Sequence, residues 1–215
     1  MYIEENPTLT INELKIKELK EKTKNVKIVA ATKYISEDAM RALYNAGIDN
    51  FGENRVEPFV RKHNNLKDLN ATWHFIGHLQ RNKAKMIIND IDYLHSLDSL
   101  DLAKIINDKR EKPLNCFIEL KLLEDSNKDG VLLSDLDFFI KTIRENYPKC
   151  NIVGFMAMTE PEMTNIEKKE LFTRVVELGH IYNLHEFSLG MSEDYKEAIE
   201  SGTTYIRLGR ILYNM

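Results

Sequence analysis

Lys33 ends the apolar run IVAAT, which places a primary amine at the exit of a buried β-strand. In isolation such a lysine is a solvated strand-end residue. An amine in apolar surroundings, or beside other cations, keeps more of its neutral form and becomes a nucleophile toward an aldehyde. Two further segments near the C-terminus complement it. FSLGMSEDYKEAI carries Ser188, Gly190 and Ser192 ahead of a helical stretch that Ser192 is expected to cap, and RLGR carries Arg207, Gly209 and Arg210. Glycine lets backbone N–H groups approach an anion closely, and serine or arginine adds hydrogen bonds and charge. An amine and two anion-cradling loops together suit a ligand bearing both an aldehyde and a phosphate. A short glycine loop alone would be an ordinary helix start.

A third segment, WHFIGHLQRNK, alternates as a strand should. Trp73 and Phe75 fall on one face, so His74 is expected to point the other way, into the interior. A strand histidine of this kind is commonly a satisfied core residue. The six histidines show no spacing of the HExxH type, and no metal is expected. Met156, Met158, Tyr205 and Ile206 read as packing residues.

The elements that must position these groups follow from the hydrophobic pattern. Strands are expected at VKIVAATKY, Asn50 to Gly52, Trp73 to Ile76, Tyr93 to His95, Asn115 to Leu120, Ile152 to Met156, His185 to Leu189 and Tyr205 to Leu208. Helical stretches lie between them, among them 98–110, 134–146, 165–182 and 192–201, and SEDAMRALYNAG, opened by Ser36 and closed by Gly47. Strands alternating with helices imply a parallel sheet. Eight such units in about 200 residues fit an α/β protein of the (β/α)8 TIM-barrel class, as one domain over residues 1–215. An open doubly wound sheet is the competing architecture, and it would leave the first and last strands unpaired. Few residues follow Leu208, so the extra N-terminal helix, with Thr10 as its cap and Glu13 in the capping-box position, is expected to cover the closing gap. In a closed barrel strands one and eight are neighbours, which brings the arginines of RLGR toward Lys33.

Composition narrows the function classes. A net charge of -4 and a pI near 5.9 argue against nucleic acid as the main partner. Two cysteines outside any CxxC pair, Cys116 and Cys150, make a disulfide framework or a thiolate metal site unexpected. The N-terminus shows neither signal-peptide nor transit character and no stretch is apolar enough to span a bilayer, so a cytoplasmic protein is expected.

The segments ATKY, FGENR, HFIGHLQRNK, SLGMS and RLG, in this order, resemble those of the pyridoxal-phosphate homeostasis proteins, over essentially all of Val26 to Leu208. The resemblance implies a barrel like the N-terminal domain of alanine racemase, with pyridoxal 5'-phosphate held as a Schiff base on Lys33 and no robust turnover. It implies a phosphate-binding set of Ser188, Met191, Ser192 and Gly209, with Arg207 beside the pyridine ring and Asn54 and His74 lining the pocket. Arg210 stands where many relatives have Thr or Ser, so a charged phosphate contact is expected there. Lys121 occupies a place where relatives often have Asn, although Lys128 and Gly130 keep the later part of that motif, and the ending LYNM lacks the usual Phe-Gly. The implied role is vitamin B6 balance, with pyridoxal-phosphate-dependent apo-enzymes as partners; a small single-domain barrel is expected to be a monomer. A racemase or decarboxylase is the enzyme alternative, and a phosphosugar aldolase using Lys33 is a third.

Overall fold

A computed structural model describes residues 9–122 and 129–214; Lys128 lies outside the described residues. Eight parallel strands close on themselves: β1 (Lys27–Ala31), β2 (Asn50–Glu53), β3 (Thr72–Phe75), β4 (Tyr93–Leu97), β5 (Leu114–Lys121), β6 (Cys150–Met156), β7 (Glu186–Ser188) and β8 (Tyr205–Leu208). Closure is made by β8 on β1, where Arg207 pairs with Val29 and Leu208 with Ala30. The open-sheet alternative is thereby excluded. The two-residue strand Val131–Leu132 pairs with β5 beside the ring.

Helices α1 (Glu13–Lys22), α2 (Glu37–Asn45), α3 (Val56–Asn65), α4 (Arg81–Ala84), α5 (Leu100–Lys109), α6 (Leu136–Asn146), α7 (Asn165–Ile181) and α8 (Tyr195–Glu200) surround the strands. Local sequence sets several of their ends. Ser36 caps α2 by accepting the Ala39 N–H, and Gly47, at φ +82°, follows its end in the left-handed region. Thr164 and Glu167 form a reciprocal capping box on α7.

Two caps differ from expectation. Asn12, not Thr10, caps α1 by accepting the Lys15 N–H, because Thr10 is drawn into a two-stranded antiparallel ribbon with Asn214. That ribbon, and the Asn12 N–H to Leu212 C=O bond, dock the N-terminal helix against the 3-10 turn Arg210–Leu212, across the gap left after β8. Similarly α8 starts at Tyr195 with Asp194 as the preceding residue, so Ser192 is not its cap.

The strand faces divide as periodicity requires. Trp73 packs outward, edge to face, on Phe51 and Phe59 beneath the helices. Val29, Phe117, Met156 and Tyr205 fill the barrel interior. Among the described residues no helix is long and apolar enough to cross a membrane.

Candidate functional site

The C-terminal ends of β7, β8, β1 and β2 lie side by side in the ring, and the residues singled out from the sequence gather on or beneath them, except His74, which lies buried on β3. β1 ends at Ala31, so Lys33 belongs to the turn after the strand and not to the strand itself. Its side chain is exposed and its ammonium sits 4.6 Å from the Tyr34 ring centre. The apolar enclosure expected for it is therefore absent, because the turn carries it beyond the packed interior.

Gly209 follows β8 and abuts Ala31; a Cβ built there would lie 3.7 Å from the Ala31 Cβ. Its N–H donates to Ser192 Oγ at 3.4 Å, which joins the two glycine loops. The SLGMS loop is rigid for local reasons. Gly190 has φ +87°, and a Cβ there would stand 2.6 Å from that of Ala198. Buried Asp194 accepts the Met191 N–H and the Thr159 hydroxyl, each at 2.6 Å. The Met191 amide is thus already engaged, and its side chain is partly exposed. Arg210 is exposed and paired with Glu193 at 2.6 Å. Asn54, at the exit of β2, presents a buried Oδ1 with no partner among the described residues.

Beneath this mouth runs a chain of buried polar groups that crosses the barrel. Arg207 Nη1 donates to Ser188 O at 2.5 Å and Ser188 Oγ at 2.6 Å, and Nη2 donates to Ala157 O at 3.3 Å. Ser188 Oγ is 2.7 Å from His95 Nδ1, His95 Nε2 is 2.8 Å from His74 Nδ1, and His74 Nε2 is 2.9 Å from Asn50 Oδ1. Its direction is fixed from the Asn50 end, and the Arg207 end is compatible with it. Asn50 Nδ2 donates to the Asp49 carboxylate, so Oδ1 faces His74 and accepts. Arginine only donates. Every hydrogen therefore points one way, from Arg207 through Ser188, His95 and His74 to Asn50. Both rings are uncharged and carry their proton on Nε2.

Burial enforces that state. It lowers His74 to about 3, with Lys27 adding repulsion, and it lowers His95 well below the usual range, with His74 and Arg207 adding to the effect. Burial also pushes Arg207 down to about 10, partly opposed by Asp194 and Glu119, which leaves it a cation at neutral pH. The sequence located His74 correctly but not His95 or Asn50. The only signal for them was their inward phase on neighbouring strands.

A test follows. Nitrogen chemical shifts of His74 and His95 should report the Nε2–H tautomer, unchanged from pH 8 to pH 5. Free histidines bind protons near pH 6.5, whereas folded His74 does so only near 3. The stability these rings contribute is therefore complete above about pH 6.5 and lost as pH falls, at about 1.4 kcal/mol per unit for each ring. A ring that titrates near 6.5 in the folded protein would break this assignment.

A separate cleft of about 830 Å³ opens at the β3–β5 side of the mouth, lined by His78, Gln80, Asn82, Asp98 and Lys121 among others. His78 Nδ1 lies 3.2 Å from carboxylate oxygens of both Asp98 and Asp129. It contains none of the residues expected to hold a ligand, and the Asn54–Lys33–Gly209 sector does not share its lining.

Comparison with known proteins accords with this geometry. A sequence model described as the alanine racemase N-terminal domain matches residues 13–215. A pyridoxal phosphate homeostasis protein of Aquifex aeolicus is 34% identical over 197 residues, covering 87% of this chain and 86% of its own. The structure of PipY from Synechococcus elongatus with PLP bound superposes with a TM-score of 0.85 at 31% identity, covering 94% of this chain and 99% of PipY. Alanine racemase from Corynebacterium glutamicum shares the fold at TM-score 0.68 and 15% identity; 96% of this chain is covered, but only 62% of that one.

Proposed function

The chain belongs to the pyridoxal phosphate homeostasis protein family, and from that premise we propose that it binds pyridoxal 5'-phosphate at the β7–β8–β1–β2 sector of the barrel mouth and serves as a carrier of that cofactor. One observation carries the placement: Gly209, joined to Ser192, abuts the end of the strand that leads into Lys33. A phosphate site and an amine are therefore neighbours. The residues fit the cofactor's chemistry. Asn54 Oδ1 is a buried acceptor in need of a donor. Ser192 and the Gly209 loop offer hydroxyl and backbone donors to a phosphate. Arg207 is a cation at neutral pH held by Ser188 and Ala157, suited to stand beside a pyridine nitrogen that it would leave unprotonated.

Lys33 supplies the covalent link. When bound, the cofactor offers an aldehyde that forms a Schiff base with an amine and can withdraw electrons from an attached amino acid. Ser188 acts from below, through its bonds to Arg207 and His95, and not as a free phosphate ligand. Met191 contributes loop geometry through its amide bond to Asp194. Arg210 reaches a phosphate only by exchanging Glu193 for it. That exchange costs little, since exposed pairs are worth about 0–1 kcal/mol. Substrate turnover asks for a second acid or base over the cofactor. His74 and His95 are held neutral and buried below the mouth, so neither serves.

The carrier reading is tested with holoprotein and L- and D-alanine or other amino acids, following solvent deuterium at the α-carbon and product formation. Exchange of the cofactor onto the added amine without sustained turnover is expected. Turnover that vanishes in Lys33→Ala would replace the carrier by an enzyme.

A further inference from the structure

Lys62 and Glu53 form an ion pair with no solvent exposure at either side chain, 2.9 Å apart. Removing two charges from water is costly, and apolar residues of similar size would tie α3 to β2 at least as well. The pair does something apolar residues cannot. Lys62 Nζ donates at 2.6 Å to the carbonyl of Thr32, the residue immediately before Lys33.

That carbonyl also accepts the Ile35 N–H at 3.2 Å, so it closes the turn in which Lys33 sits directly after the accepting residue. The rest of the same peptide is held as firmly. The Thr32 N–H donates to Gly52 O at 2.9 Å, and its hydroxyl donates to Glu53 Oε1 at 2.8 Å. Glu53 Oε2 is occupied by the Asn54 N–H, and the preceding carbonyl, of Ala31, accepts the Tyr213 hydroxyl at 3.2 Å. Buried, hydrogen-bonded backbone thus gives way directly to an exposed lysine side chain over the Tyr34 ring.

We propose that Lys62, seconded by Tyr213, is a positioning residue for Lys33: it touches no ligand, and it fixes the peptide from which the Lys33 amine reaches an aldehyde at the barrel mouth. This rests on the reading of Lys33 given above. In the step concerned, neutral Lys33 Nζ forms a bond to the aldehyde carbon. The aldehyde oxygen leaves as water with both amine protons, and nothing is oxidised or reduced. With the turn unclamped, the amine spends less time in line with that carbon, while the phosphate loops are untouched.

The test separates the two halves of the site. Pyridoxine 5'-phosphate, which has ring and phosphate but no aldehyde, reads the cradle. The rate of borohydride-trapped pyridoxal 5'-phosphate on the Lys33 peptide reads the amine. Lys62→Met alone strands the Glu53 charge, so the primary variant is Glu53→Gln with Lys62→Met, and Tyr213→Phe is a second that keeps both charges. Expected for the double variant is a trapping rate at least about tenfold lower, with pyridoxine phosphate affinity within about twofold of wild type. Tyr213→Phe should show the same split with a smaller loss of rate. Unchanged trapping in a folded double variant overturns the proposal. So does an equal loss of both readouts, which would mark a purely structural pair. If the double variant does not fold, Tyr213→Phe decides: trapping at the wild-type rate overturns the clamp. Wild-type protein that forms no adduct at Lys33 refutes the reading of Lys33 itself, an outcome visible before any variant is made.

Discussion

Lys33→Ala should give a protein that folds normally and retains no borohydride-fixed pyridoxal phosphate. The loss of the covalent adduct is expected to be complete, because the remaining amine near this turn, Lys62, is fully buried and engaged by Glu53 and the Thr32 carbonyl. Stability should stay within about 0.5 kcal/mol of wild type, as for other exposed substitutions away from caps and packed contacts. What Lys33 gives up is a contact with the Tyr34 ring, and no hydrogen bond holds its ammonium among the described residues. Reversible binding should persist more weakly, through the loops around Ser192 and Gly209. Peptide mapping after borohydride treatment checks the first half and urea denaturation the second. A reduced adduct of undiminished yield on another lysine would remove Lys33 from the site.

Arg207→Met should cost far more stability, on the order of 2–4 kcal/mol. The substitution leaves Ser188 O, Ser188 Oγ and Ala157 O buried without their charged donor, and unpaired buried acceptors are costly. Removing a desolvated cation offsets part of that loss. Arg207→Lys should rescue only in part, because one ammonium cannot span acceptors on both Ser188 and Ala157 as a planar guanidinium does. The polar chain across the barrel should also keep only its Asn50 anchor, since Ser188 loses the guanidinium that holds its oxygen opposite His95. The His95 tautomer signal should then broaden or split. Denaturation midpoints and the same nitrogen spectra measure both effects. An Arg207→Met protein as stable as wild type, with His95 unchanged, would show that the guanidinium organises nothing beneath the mouth.

The barrel fold is shared with alanine racemase. The likeness covers 96% of this chain and 62% of the racemase. Within this chain's barrel, two groups of buried polar side chains satisfy one another. The histidines, Ser188 and Arg207 satisfy each other in a single direction, and Glu53, Lys62 and Thr32 do so beside them.

Much of this was legible in the chain itself, wherever the determinant is local. The alternation of Trp73, His74 and Phe75 placed His74 inside, because a strand turns successive side chains to opposite faces. Ser36 and Gly47 bounded α2, since caps act over three or four residues. Even the neighbourhood of Lys33 and RLG followed once eight strand–helix units demanded closure. Two helix starts were decided by tertiary contacts instead: Thr10 lost the α1 cap to Asn12 when Asn214 took it into a ribbon, and α8 begins only after Asp194, whose carboxylate is taken up by Met191 and Thr159, so Ser192 lies outside it. The links of the polar chain, as opposed to His74, Ser188 and Arg207 themselves, lay beyond sequence reading. Its links join residues 21 and 93 positions apart, and the Lys62 to Thr32 bond spans 30. Periodicity states which face a side chain takes. Which inward residue meets which depends on the register between strands, and in a barrel that register is set only when the last strand pairs with the first.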